Sequence, residues 1–238
     1  LGLKEEEQKV AMNNLIQIDT YEIKNSRTEQ KVPVVNGVHL HSIYNPYKEA
    51  ESLVETNKEA LEAKKEVLVL GLGFAYHVNE LIDTMTKFHG DNFKIIIIEP
   101  NVQVYNDCVD LGLLKKKNIL VYAGYTASEL YADVDLVHFL LTKPTLIAHP
   151  PSFNLYQIYF KSFLTYEAPT DIFSSMNFIT NTDVKNYLSQ FNGASTLSES
   201  IKTVVHEKSR FSEMDFLATA LFEMTKGAKP SSTFGNEE

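Results

Sequence analysis

Residues 66–77 read Glu66-Val67-Leu68-Val69-Leu70-Gly71-Leu72-Gly73-Phe74-Ala75-Tyr76-His77. The apolar run at its start has no polar alternation, so it predicts a strand buried on both faces. The Gly-x-Gly that ends it permits a tight turn. From Phe74 onward, "FAYHVNELIDTMTKF" carries helical periodicity. A buried strand, a glycine turn and a helix open a Rossmann-like unit. The same alternation continues downstream. "FKIIIIEP" is a second buried strand, "NVQVYNDCVDLGLL" a helix and "NILVYAG" a third strand. "YTASELYA" is a short helix, and "VDLVHFLL" fits either a strand or a helix. "PTLIAHP" is a further strand, followed by the aromatic-rich helix "FNLYQIYFKSFLTYE". The expected fold is therefore α/β and Rossmann-like, a mostly parallel sheet with helices on both faces.

Upstream, residues 4–24 read as a polar helix followed by looser chain. "KVPVV-NG-VHLHS" predicts a β-hairpin, because Asn36-Gly37 between two β-branched runs is a strong two-residue turn signal. A single helix is expected over "YNPYKEAESLVETNKEALEAKKE", with Asn45 as N-cap and Pro46 at its first position. The expected organisation is an N-terminal helix, hairpin and linking helix over 1–62 and a Rossmann-like core over 63–170. A helical segment over 171–226 and a polar tail over 227–238 follow.

Composition narrows the function. A net charge of -9 disfavours nucleic acid and anionic membrane surfaces, whose recognition requires clustered Lys and Arg. No apolar stretch approaches the ~20 residues that span a bilayer. The single cysteine, Cys108, excludes an intramolecular disulfide, so a cytoplasmic location is expected. On its helix Cys108 reads as a packed residue rather than a nucleophile.

Candidate binding residues cluster at the ends of the expected strands. Gly71 and Gly73 let a ligand approach the backbone, and Phe74, Tyr76 and His77 follow in the same turn. Glu99 ends the second strand 26 residues past Gly73, where a carboxylate accepts hydrogen bonds from ribose hydroxyls. A helix-capping role for Glu99 or Asn101 is the alternative. His149 ends a later strand on the same carboxyl edge, as an acid–base group or a hydrogen-bonded spacer. Together these residues suggest a nucleoside-type ligand. A dinucleotide is disfavoured, because Tyr76 stands where that fingerprint needs a small residue. S-adenosylmethionine sites share the arrangement, but Val69 stands where they carry a carboxylate and Ala75 where they carry a third glycine. His39 and His41, two apart on an expected strand, share a face and offer a metal pair. No further ligands are evident in sequence, so no metal site is assigned.

The segments "VPVVNGVHLHSIYNPYKEAESLVE", "VLVLGLGFAYHVNEL" and "IIIIEPN" together resemble the amino-terminal domain of motility accessory factor proteins. That family comprises bacterial flagellin glycosyltransferases that attach nonulosonic acids to Ser or Thr. His41, Ser42, Tyr44, Pro46, Glu49, Ala50, Gly71, Gly73, Tyr76, His77, Glu99 and Pro100 match its pattern. The likeness covers residues 32–168. It implies a cytoplasmic role in flagellin modification and motility, a cytidine nucleotide as ligand and a flagellar protein as partner. The family's Gly-Pro-Ser-Leu turn, in the central domain where transfer is placed, is absent from this sequence. No transferase residue carries over, and the catalytic residues are unknown. Two other readings stay open: a small-molecule methyltransferase, and a non-catalytic interaction scaffold.

Overall fold

In the computed structural model, residues 15–169 are described. A small antiparallel sheet comes first: β1 (Tyr21–Asn25), β2 (Lys31–Val35) and β3 (Val38–His39), in that order. The hairpin between β2 and β3 turns on Asn36 and Gly37, both at positive φ, as the sequence predicts. Residues 21–25, expected to be loose chain after a helix, are instead the strand β1. Pairing with β2 satisfies the backbone groups on that side of the strand, and apart from Tyr21 its side chains are exposed and give little hydrophobic signal. The hairpin is thus part of a three-stranded sheet in which β2 is central.

The helix expected after it is two helices, α1 (Pro46–Thr56) and α2 (Lys58–Ala63). Asn45 caps α1, accepting from the backbone N–H groups of Tyr47 and Lys48, and Pro46 takes the first turn. The break falls at Asn57, whose side chain donates to the Leu53 carbonyl and competes with the helical ladder.

The main sheet contains β4 (Glu66–Leu70), β5 (Lys94–Glu99), β6 (Ile119–Ala123) and β7 (Thr145–Ala148). All neighbours are parallel and the order is β6-β5-β4-β7. The chain therefore moves outward from β4 to β6, then returns to the other side of β4 for β7. The reversal point between β4 and β7 is where open α/β sheets leave a crevice at their carboxyl edge.

Helices cover both faces. Val67, Val69, Ile95 and Ile97 point into one core with α1, α2, α3 (Tyr76–His89) and α4 (Val102–Asp110). Leu68, Leu70, Ile96 and Ile98 point into the other. There they meet α5 (Ala127–Ala132), α6 (Val134–Leu141) and α8 (Gln157–Leu164). α7 (Pro150–Leu155) links β7 to α8. The ambiguous "VDLVHFLL" is the helix α6, capped by Asp133. The aromatic helix is divided at Tyr156 into α7 and α8. Its stripe of Tyr156, Tyr159, Phe160 and Phe163 is core. Cys108 is buried in the first core, and burial pushes its thiol up to about 12, so it is packing.

This unit of the chain ends at Tyr166. The expected segments 171–226 and 227–238, and the start of the expected N-terminal helix, lie outside the described residues. Among the described residues no helix is long and apolar enough to cross a membrane.

Candidate functional site

The β4 ladder runs one step past the strand. Gly71 N–H donates to the Ile98 carbonyl, and His149 N–H donates to the Leu70 carbonyl, both at 2.9 Å. These bonds pin the glycine turn and the end of β7 side by side. Gly71 and Gly73 adopt φ of +95° and +51°. Ala75, just before α3, is also left-handed at φ +60°, a conformation that costs an L-residue roughly 1–2 kcal/mol. A β-carbon on Gly71 would overlap Ser152 and lie 3.3 Å from His149 Cβ, so the turn needs glycine for room as well as for φ. Gly71→Ala should therefore destabilise the unit by roughly 2–4 kcal/mol, from overpacking plus backbone strain. A urea titration checks this, and an unchanged midpoint would show that the turn relaxes freely.

Glu99 is fully buried beneath that turn. Its carboxylate accepts from the Leu72 N–H at 2.6 Å and the Asn101 N–H at 2.9 Å. Burial raises its pKa to about 7, partly offset by those backbone donors and that of Gly73. The sequence suggests a strand-end carboxylate facing a ribose. The structure corrects its setting, because Glu99 braces the turn from within. Asn101 caps α4, accepting from the N–H groups of Gln103 and Val104. Phe74 is core, and its N–H donates to His41 Nε2 at 2.8 Å. The Leu72 and Phe74 amides of the turn are thus already engaged by Glu99 and His41. Tyr76 reaches away, donating its hydroxyl to the Lys31 carbonyl at 2.8 Å and so tying the turn to β2.

Three histidines converge on the other side of the turn. His41, His77 and His149 are all buried, and one ligating atom from each lies within 4.8 Å of the others. His77 and His149 stack with ring centroids 4.2 Å apart, and His41 lies 4.7 Å from His149 and 5.7 Å from His77. Each ring has one nitrogen engaged at the periphery. His41 Nδ1 lies 3.4 Å from Glu49, His77 Nε2 is 3.0 Å from the Gly71 carbonyl, and His149 Nδ1 is 2.8 Å from Ser152 Oγ. His77 Nδ1 and His149 Nε2 have no hydrogen-bond partner. Burial lowers the pKa of all three, His77 to about 3, so the imidazoles are neutral.

The cluster opens on a cavity of about 380 Å3 between α1 and the sheet edge. Glu49, Ala50, Ser52 and Leu53 form one wall, and Pro150 and Pro151 the other.

This grouping revises the expected metal pair. β3 stops at His39, so His39 and His41 do not share a strand face, and only His41 turns inward. Its partners, His77 and His149, lie 36 and 108 residues further on. Where the sequence assigns no metal site, the structure brings three histidines together. Ser152, which orients the His149 ring, carries no signal in sequence beyond the His-x-x-Ser spacing at the start of α7, and Glu49, which orients His41, enters only through the family resemblance.

No family model and no curated protein matches the sequence. Among solved structures, MNMC2 from Aquifex aeolicus is similar, with a TM-score of 0.34 and 12% identity over 57% of this chain and 53% of that one. The match thus spans about half the length of that protein. The fold assignment rests on the strand order, register and two-faced helix cover described above.

Proposed function

We propose that this chain is a ligand-binding domain of the flagellin-modifying nonulosonic-acid glycosyltransferase type, holding a small polar ligand in the cavity beside His41, His77 and His149. One observation carries the reading. The segments that resemble that family are far apart in sequence, yet their residues gather at one place. His41 and Glu49 come from the first segment, Gly71 to His77 from the second and Glu99 from the third. Packing alone asks for apolar residues there, whereas His41, His77 and Glu99 are polar, buried and hydrogen-bonded to the glycine turn. The cavity volume lies in the range of ~300–1,000 Å3 usual for small-molecule sites, and its walls combine apolar carbons with a few polar groups.

The ligand class in this reading is a cytidine nucleotide or its nonulosonic-acid conjugate, and the domain binds rather than reacts. Glu99, whose oxygens serve the turn, is not the ribose partner in either the cytidine or the methyltransferase reading, which leaves the cavity beside the histidines as the ligand site.

A thermal-shift series tests the proposal, using cytidine monophosphate, a cytidine-activated nonulosonic acid, S-adenosylmethionine and S-adenosylhomocysteine. A ligand at ~100 times its Kd adds about 2.7 kcal/mol, which moves the melting point by roughly 5–10 °C for a chain this size. The cytidine compounds should give the shift, and Ser52→Trp, an exposed change at the cavity rim, should remove it. A shift with the adenosyl compounds alone would transfer the chain to the methyltransferase reading. No shift with any of them would leave an interaction scaffold.

A further inference from the structure

We propose that His41, His77 and His149 form a binding site for a divalent transition-metal ion such as zinc, with its open coordination position facing the cavity. The ion goes beyond the ligand reading above, since it requires no organic ligand.

The argument rests on which way the lone pairs point. His77 Nε2 can only donate to the Gly71 carbonyl, so its proton is there and Nδ1 carries a lone pair. His41 accepts the Phe74 N–H at Nε2, so its proton is on Nδ1, toward Glu49. His149 Nδ1 meets Ser152 Oγ, and donation to that oxygen leaves a lone pair on Nε2. Three acceptor nitrogens then face one another in a buried space beside the cavity. Two of them have no partner although both residues are at least 98% buried. Buried acceptors without donors are unfavourable, and buried polar groups are nearly always paired. A cation among them supplies the missing partner to His77 Nδ1 and His149 Nε2 at once, with His41 Nε2 as the third donor.

The periphery matches what metal-binding histidines have elsewhere. Such a ring donates its far N–H to a carboxylate, a carbonyl or another acceptor, which fixes its tautomer and orientation. Here the three acceptors are Glu49, the Gly71 carbonyl and Ser152, one for each ring. The imidazoles are neutral, so an ion need not displace protons. An all-nitrogen donor set suits zinc, copper or nickel and not magnesium or calcium. Three protein ligands plus an open position is the arrangement of reactive zinc centres rather than closed structural ones.

Zinc–nitrogen bonds of ~2.0–2.1 Å place tetrahedral ligands about 3.3 Å apart. The present separations of up to 4.8 Å must therefore contract by roughly an ångström or more. The 6° stack of His77 on His149 has to tilt open, and the His41 lone pair passes from the Phe74 N–H to the ion. Gly73 gives this space, since a side chain there would occupy the place of His41 Nε2.

Titration of the chelator-treated chain with zinc, by calorimetry and by metal analysis after dialysis, should show one ion per chain. Cobalt in its place should give the intense visible bands of a tetrahedral site with nitrogen ligands. His77→Gln and His149→Gln should each weaken zinc at least 100-fold, while His39→Gln, outside the cluster, should leave it unchanged. Circular dichroism identifies any variant that fails to fold, and the cobalt spectrum of the unaltered chain stands apart from the variants. No retained zinc together with a featureless cobalt spectrum would overturn the site. So would zinc that binds equally well to folded His77→Gln and His149→Gln. Because only metal is added, loss of this site and loss of the cytidine response are separate outcomes.

Discussion

Glu99→Ala should lower the unfolding free energy by roughly 3–6 kcal/mol, enough to leave a domain of ordinary stability largely unfolded. The carboxylate is fully buried and is the hydrogen-bond acceptor for Leu72 and Asn101, with Gly73 also contributing. Each buried N–H left without an acceptor costs about 1–3 kcal/mol. An alanine also leaves a void under a turn already held at positive φ. Glu99→Gln keeps the volume and one acceptor oxygen but turns an amide N–H2 toward another donor, so about half the loss is expected. Denaturant unfolding followed by circular dichroism measures both, with the midpoint as readout. If Glu99→Ala melts like the parent chain and loses only a nucleoside, the carboxylate is a ligand group after all.

That variant also separates what was legible in the sequence from what was not. The strand–turn–helix alternation was readable because fully buried parallel strands are continuous apolar runs, and Val67–Leu70 and Ile95–Ile98 are two such runs. Asn36-Gly37 and Asn45-Pro46 were readable because each answers a local backbone demand. β1 was not, since its residues pair through their backbone while all their side chains but that of Tyr21 are exposed. The break at Asn57 was equally hidden, as both halves carry helix formers and the competition is one side-chain bond.

The site shows the same division. Gly71, Gly73, His77, Glu99 and His149 were marked because strand ends at a sheet's carboxyl edge are where ligands meet an open α/β fold. Their neighbourhood followed from topology. Their roles did not, because the role depends on which side of the turn each side chain occupies. Glu99 went beneath it and His77 and His149 above it, next to a histidine from the hairpin segment. His41 pairs with His39 in sequence because the two stand at i and i+2, and only the end of β3 separates them. Strand order brings positions 77 and 149 to one sheet edge, but it says nothing of position 41, which lies in the hairpin segment outside the main sheet.

Acid should unfold the metal-free domain well above the pH at which ordinary carboxylates are protonated. In the unfolded chain a histidine takes up its proton near pH 6.5, whereas folded His77 does so only near 3, because burial and the adjacent His41 oppose the charge. Between those values the unfolded state binds the extra proton. Its contribution to stability is therefore fully present above pH 6.5 and is lost progressively as pH falls toward 3. A shift of this size is on the order of 5 kcal/mol. Glu99 acts in the opposite direction. Its folded pKa of about 7 lies above its ordinary 4.5, so its contribution is present below pH 4.5 and is lost as pH rises through 7, on the order of 3 kcal/mol. One histidine thus cancels Glu99 across most of the shared window. His41 and His149, both lowered by burial, remain unopposed and set the sign. Denaturant midpoints on chelator-treated protein should fall steadily from pH 7 to pH 5, and His77→Gln should flatten the slope by about one proton. Midpoints that rise on acidification would mean that Glu99 outweighs the cluster, and that the histidines are not held neutral as the burial of their rings requires.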